Sequence, residues 1–493
     1  MKLESCDVLL RNGTVVDGTG QAAFAADVAI EADRIVAIGA LKGTVARKEI
    51  DVAGLVVAPG FIDVHTHDDA ALILRPQMLP KLTQGVTTVI VGNCGISGAP
   101  YRLLSDPPDL LRLIFKSKEC VAPCLEQYLQ KVASAGPAVN TAALTGHATL
   151  RMQVMGEDLQ RVAKPHEIAA MSDLLRESLE QGSLGLSTGL FYPPARAAST
   201  AEVIGVAQPL ADFGGLYVTH MRDEADGVME SVEETLAIGR EVGVDVIVSH
   251  HKCMGKRNFG RSVETLKRLE SAGRCQRVAW DVYPYTAGST ILNMDFVRLS
   301  SKTLITWCDP HPEFSGLTLD AVASALGCSS DEAVDRLQPA GAVYFTMDEA
   351  DVVRILSSAA AMVGSDGLPE DARPHPRLWG TFPRVLKRYV REQRVLSLEN
   401  AVHRMTGLSA ERFGLHARGQ IKIGSFADLT VFDPDTVADT ATFEEPIRPA
   451  TGIRYVLVNG EIALEQGVPT GARTGRVVRR ENPRVSRIRG ESP

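Results

Sequence analysis

Short runs of apolar, β-branched residues return along the chain at intervals that leave room for a helix between them. In order they are FIDVHTH, TTVIVGNCG, NTAALTGH, SLGLSTG, LYVTHMRDE, VDVIVSHH, RVAWDVYPY and AAMVGSDG. Segments between them, such as GVMESVEETLAIGREVG and SVETLKRLESAGR, place apolar residues three and four apart, the period of an amphipathic helix. Alternating strands and helices predict an α/β protein with a parallel sheet, and eight repeats of the unit predict a (β/α)8 barrel. In each run the polar residues capable of chemistry gather at the carboxyl end. That is the rim on which barrel sites are built.

The two ends of the chain read differently. DVLLRNGTVVDGTG, DVAIEADRIVAIG and GLVVAPG near the start are short strands with turns, and so are GQIKIGSFADLTVFDP and IRYVLVNGEIALEQG near the end. Neither piece has strands enough to stand alone. Residues 1–60 and 415–480 are therefore expected to form one small β domain, a sandwich or barrel, around a barrel spanning 61–414. Residues 286–359 separate YPY from AAMVGSDG, too many for an ordinary connection. Residues 286–342 are expected to be an insertion before the last barrel strand, acting as a lid or substrate wall. The arginine-rich stretch 481–493 reads as a polar, solvated tail.

Composition narrows the class. With 52 basic and 60 acidic residues the net charge is −8, and no basic stripe crosses the body of the chain, so no nucleic-acid partner is expected. No apolar run is long enough to span a bilayer, and the first residues lack a secretory pattern, so no membrane association is expected. Eight irregularly spaced cysteines do not suggest a disulfide framework. The expected location is the reducing cytoplasm.

Histidines mark the rim. His65 and His67 occupy alternate positions, so both side chains leave one face of a strand. His220 and His250 end the fifth and sixth strands, and Asp366 ends the eighth between flexible residues. A lone histidine at a strand end is usually structural, but four at one end of one barrel suggest a metal. His251 should point away from that centre. Cys94 stands on the polar turn after the run VIVG, where a core cysteine has no reason to be. As a soft anionic ligand beside imidazoles it favours zinc. With the two later histidines it leaves a fourth position open, the pattern of a catalytic centre.

The strings PGFIDVHTHDD, VGNCGIS, THMRDE, SHHKCMGK, WDVYPYTAGST, GSDGLP, HPRLWGTFPR and GSFADLTVFDP run over nearly the whole chain. They resemble the D-aminoacylase (N-acyl-D-amino-acid deacylase) family of the amidohydrolase superfamily, and within it the N-acyl-D-glutamate deacylases most closely. The resemblance implies a distorted TIM-like barrel with a β domain from both termini. It implies one tight Zn²⁺ on Cys94, His220 and His250, and a weaker second site on His65 and His67 that Cys94 can bridge. It also implies hydrolysis of N-acyl-D-amino acids. In that chemistry zinc polarises the acyl carbonyl and acidifies water, while Asp366 takes the proton and returns it to the departing amine.

The same resemblance implies that Lys252, Tyr283 and Arg377 hold the substrate α-carboxylate. Family members that prefer apolar side chains line the pocket with residues matching Phe191, Tyr344 and Met347, together with a leucine. Here Arg298 takes the leucine's place. An unpartnered guanidinium in an apolar pocket is costly, so a substrate carboxylate is the expected partner. That points to N-acyl-D-glutamate, with N-acyl-D-aspartate or an apolar D-amino acid as the alternatives and a cyclic amide further off. The sequence carries no indication of oligomeric state.

Overall fold

The computed structural model describes residues 3–102, 111, 114, 115 and 117–480. The expected tail, 481–493, lies outside the described residues. Parallel strands run in the order Phe61–Asp63, Val86–Val91, Asn140–Ala143 with its continuation Thr145–Gly146, Gly185–Gly189, Leu216–His220, Val246–Val248, Val278–Val282 and Ala361–Val363. These are the eight runs read from the sequence, in the same order. The first and last meet at a parallel bridge between Thr66 and Gly367, with Asp366 N–H donating to His65 O at 2.7 Å. The barrel is therefore closed at the rim by the two segments that carry His65, His67 and Asp366.

Seven of the eight strands send an apolar residue into one buried cluster, from Ile62 and Ile90 through Val218 and Ile247 to Met362, and Leu184 joins it from just before the fourth. This cluster fills the barrel interior, so the centre is a packed core and the chemistry is confined to its end. The helices cover the outside by their apolar stripes. Helix Val228–Val242 buries Val228, Val232 and Leu236, and stops where Gly243 takes φ 75°. Glycine accepts that left-handed turn without a Cβ clash.

Both termini share one nine-stranded sheet. Ser5–Val15 pairs with Phe24–Glu31, Val45–Asp51 and Val56–Pro59, and Val56–Pro59 pairs antiparallel with Leu429–Phe432. Between the seventh and eighth barrel strands a separate antiparallel sheet forms from Gly288–Ile291, Thr303–Cys308 and Ala340–Tyr344. Its own core, with Phe296, Leu319, Val334 and Tyr344, stands over the rim. No helix among the described residues is long and apolar enough to cross a membrane.

Candidate active site

The residues at and just beyond the strand ends build the site. Cys94 ends the turn after Val86–Val91, His220 is the last residue of Leu216–His220, and His250 comes two residues after Val246–Val248. Cys94, His250 and Asp366 all have positive φ, at 52°, 34° and 48°. Such backbone is strained for residues with a Cβ, and it is typical of positions held for chemistry. Three of the strained positions thus fall on one side-chain cluster.

The donors converge. Cys94 Sγ lies 3.3 Å from His65 Nε2 and 3.4 Å from His250 Nε2. Asp366 Oδ1 lies 3.2 Å from His67 Nε2 and 3.5 Å from His65 Nε2. One ligand atom each from His65, Cys94, His250 and Asp366 falls within 4.8 Å of the others. His220 joins from the side, its ring 4.5 Å from that of His250. All six residues are buried.

Burial alone would oppose a charge on Cys94, yet His65 and His250 beside it outweigh that and hold the thiol well below its ordinary value. Asp366 behaves likewise: burial opposes ionisation, while Arg377 and then His250 hold its carboxyl well below the usual range. For His67 burial opposes the proton, but the bond to Asp366 and the nearby Cys94 raise it to about 9.

The residues expected to bind an α-carboxylate also meet here. Arg377 Nη1 is 2.8 Å from Asp366 Oδ2, and its guanidinium lies over the Tyr283 ring at 4.5 Å. Lys252 Nζ is 5.9 Å from the same ring. Met347 Sδ is 3.9 Å from Tyr283 Oη. The Phe191 ring lies 6.1 Å from His220, and Tyr344 uses its hydroxyl to bond Ile291 O at 2.7 Å, turning its ring to the pocket.

Arg298 is not brought into this wall. Its side chain is 67% exposed and donates to Asp331 at 3.3 Å. The reason lies in helix Met294–Leu299, where Phe296 is the buried residue and Arg298 sits in the exposed last turn. Arg298 instead borders a cleft of about 610 Å³ with Lys256 and Arg257, separated from Tyr283 by Met347. His251 points away from the centre, to Thr265 at 2.8 Å.

Several residues of the site were not apparent from the sequence. Asp281 Oδ2 meets His65 Nδ1 at 3.2 Å, while its Oδ1 accepts the His250 N–H at 2.9 Å. Its sign was a charged residue inside the apolar run VAWDV, which demands a buried partner. Glu224 lies 2.7 and 2.8 Å from Lys252 Nζ. Its sign was the four-residue spacing from His220. Phe296 packs between Phe191 and Tyr344, at 4.6 and 5.2 Å between ring centroids, and nothing in the sequence singled it out. Beneath the rim the fully buried Lys81 reaches Asp63 at 2.7 Å and both Thr66 and Ser365 at 2.8 Å.

A closed parallel barrel with thiol, imidazole and carboxylate donors converging at the carboxyl ends of its strands defines a protein with a candidate metal centre. The chain belongs to the amidohydrolase family, whose sequence model matches residues 48–270 and 319–464. It is 53% identical to a D-aminoacylase from Alcaligenes xylosoxydans xylosoxydans over 96% of this chain and 98% of that one. It is 48% identical to an N-acyl-D-aspartate deacylase from the same organism, over 96% of this chain and 95% of that one. Among solved structures, an N-acyl-D-glutamate deacylase from Bordetella bronchiseptica, complexed with zinc and a phosphonate mimic of the tetrahedral intermediate, is 47% identical. It superposes with a TM-score of 0.93, covering 97% of this chain and 100% of that one.

Proposed function

We propose that this protein hydrolyses the amide bond of N-acyl-D-amino acids, giving a carboxylate and the free D-amino acid, with zinc as its cofactor. The observation that carries the reading is the meeting of Asp366 with the Cys–His cluster on one side and Arg377 on the other. The full-length likeness to a D-aminoacylase and two kinds of deacylase supports the substrate class. Its expected location is the cytoplasm, which its eight free cysteines support.

The donor set fits zinc. A thiol held ionised and imidazole nitrogens within 4.8 Å are soft and borderline ligands, which calcium or magnesium would not select. Cys94, His220 and His250 would hold the tight ion, and His65 and His67, with Cys94 able to bridge, a weaker second one. When bound, zinc supplies Lewis acidity that polarises a carbonyl and acidifies a nearby water. The chain's own residues do the rest. Lys252, Tyr283 and Arg377 orient the substrate through its α-carboxylate. Asp366 accepts a proton from the attacking water at Oδ1 and delivers it to the departing nitrogen, which is too basic to leave unprotonated.

N-acyl-D-glutamate is the side chain that would give Arg298 a partner. Its present ion pair is exposed on both sides, and such pairs contribute only ~0–1 kcal/mol, so the guanidinium is free to turn towards an anion. The wall of Phe191, Phe296 and Tyr344 favours a second reading, an apolar D-side chain. The test is kcat/KM for the N-acetyl derivatives of D-Glu, D-Asp, D-Met and L-Glu, with wild type and Arg298→Leu. Turnover of none of the D-substrates by zinc-loaded protein would sink the deacylase reading. A wild-type preference for D-Met, unchanged in Arg298→Leu, would select the second.

A further inference from the structure

His250 and Lys252 leave the sixth strand two residues apart, one a candidate zinc ligand and the other a candidate substrate ligand. Lys252 Nζ lies 2.6 Å from His250 Nδ1 and 3.0 Å from His250 O. That contact presents a choice of tautomer. If the ammonium donates into Nδ1, the ring proton must sit on Nε2, the atom 3.4 Å from Cys94 Sγ. A protonated Nε2 has no lone pair for a metal. If Nδ1 carries the proton instead, two donors face each other and need a common acceptor.

Glu224 is that acceptor. Its Oε1 lies 2.7 Å from Lys252 Nζ and 3.1 Å from His250 Nδ1, and its Oε2 lies 2.8 Å from Nζ. The carboxylate is buried, and its own backbone is pinned by Met254 N–H donating to Glu224 O at 2.7 Å. The loops after the fifth and sixth strands are thereby locked together at the residue that bridges them.

We propose that Glu224 is a positioning residue that fixes His250 as the Nδ1–H tautomer, freeing Nε2 for zinc, and holds the Lys252 ammonium in place for the substrate carboxylate. The inference rests on the zinc-dependent deacylase reading above and extends it to Glu224, whose Oε2 also lies 3.6 Å from His220 Nε2. Partners that fix the tautomer of a ligating histidine typically change metal affinity by ~10–100-fold when removed.

The test begins with the zinc-free protein and zinc alone, titrated against a chelating indicator, in wild type, Glu224→Gln, Glu224→Asp and Lys252→Met. Glutamine keeps the shape and loses the anion, so Glu224→Gln should bind zinc about 10–100-fold more weakly, in line with that range. Glu224→Asp should fall between it and wild type, which also serves if the glutamine variant folds poorly. Lys252→Met leaves the Glu224–His250 bond intact and should keep zinc affinity within about threefold while raising KM for the N-acyl-D-amino acid. Two results would overturn the proposal: unchanged zinc affinity in Glu224→Gln, or an equal loss in Lys252→Met. If zinc binds as described but no N-acyl-D-amino acid is hydrolysed, the function fails while the role of Glu224 towards His250 stands.

Discussion

Arg377 Nη1 sits 2.8 Å from Asp366 Oδ2, so the guanidinium proposed to hold a substrate carboxylate is in contact with the carboxylate proposed to move protons. Both are buried, and Arg377 is 1% exposed. In this state Arg377 already has an anion to face. A substrate carboxylate would share that guanidinium, whose planar fork offers donors to two carboxylates in fixed directions.

Substitutions at the pair should separate binding from chemistry. Arg377→Met removes a charge-assisted bond worth ~1.5–3 kcal/mol, so KM should rise by roughly 10–100-fold, and Arg377→Lys should restore little of it. Asp366→Asn should instead lower kcat by about 10²–10⁴ with KM little changed. Steady-state kinetics on N-acetyl-D-amino acids, with zinc content measured on each variant, check both. An Asp366→Asn enzyme with full kcat removes that residue from proton transfer.

Phe296 should set side-chain preference. Its ring is clamped between Phe191 and Tyr344, and leucine fills much of the same volume without the flat face. Phe296→Leu should keep a thermal midpoint within a few degrees of wild type yet change the D-Met to D-Glu ratio of kcat/KM by up to ~10-fold. An unchanged ratio places the substrate side chain elsewhere.

Lys81 should matter far more to stability than its place on a four-residue helix suggests. Its ammonium joins Asp63, at the end of the first strand, to Ser365, beside Asp366 just past the end of the eighth. Removing one partner of a buried pair leaves an uncompensated charge and costs about 3–5 kcal/mol. Lys81→Met should therefore unfold at markedly lower denaturant, and the fraction still folded should have reduced kcat because Asp366 loses its support. Equilibrium denaturation compared with the Lys81→Met, Asp63→Asn double variant measures the coupling; simple additivity of the two changes would contradict it.

Glu202 gives the acid limb of stability a definite origin. Burial opposes its charge, but His147, the Ala163 N–H and Arg151 together lower its pKa from 4.5 to about 2. A carboxylate depressed in the folded state contributes stability that is complete above the unfolded value near 4.5 and is lost as pH falls towards 2. Glu202→Gln should unfold at a lower temperature than wild type at pH 7, and the gap should close between pH 4.5 and 2. Melting curves across that range test it; a gap independent of pH would assign the effect to packing.

The eight strands, their order and the rim residues were legible in the sequence because they are local patterns. An apolar run ending in polar residues states its own direction, and Cys94, His65, His67, His220, His250 and Asp366 are each displaced from the pattern around them. What only the tertiary structure decided is which charge faces which. His65 and Asp281 are 216 residues apart in sequence, and Lys81 and Ser365 are 284 apart. Barrel closure alone brings such pairs together. The outward turn of Arg298 belongs to the same class. A six-residue helix shows its neighbours one face, and Phe296 took the buried one. Sequence marks a residue whose burial would be costly; only the packed fold supplies, or withholds, the partner that makes the burial possible.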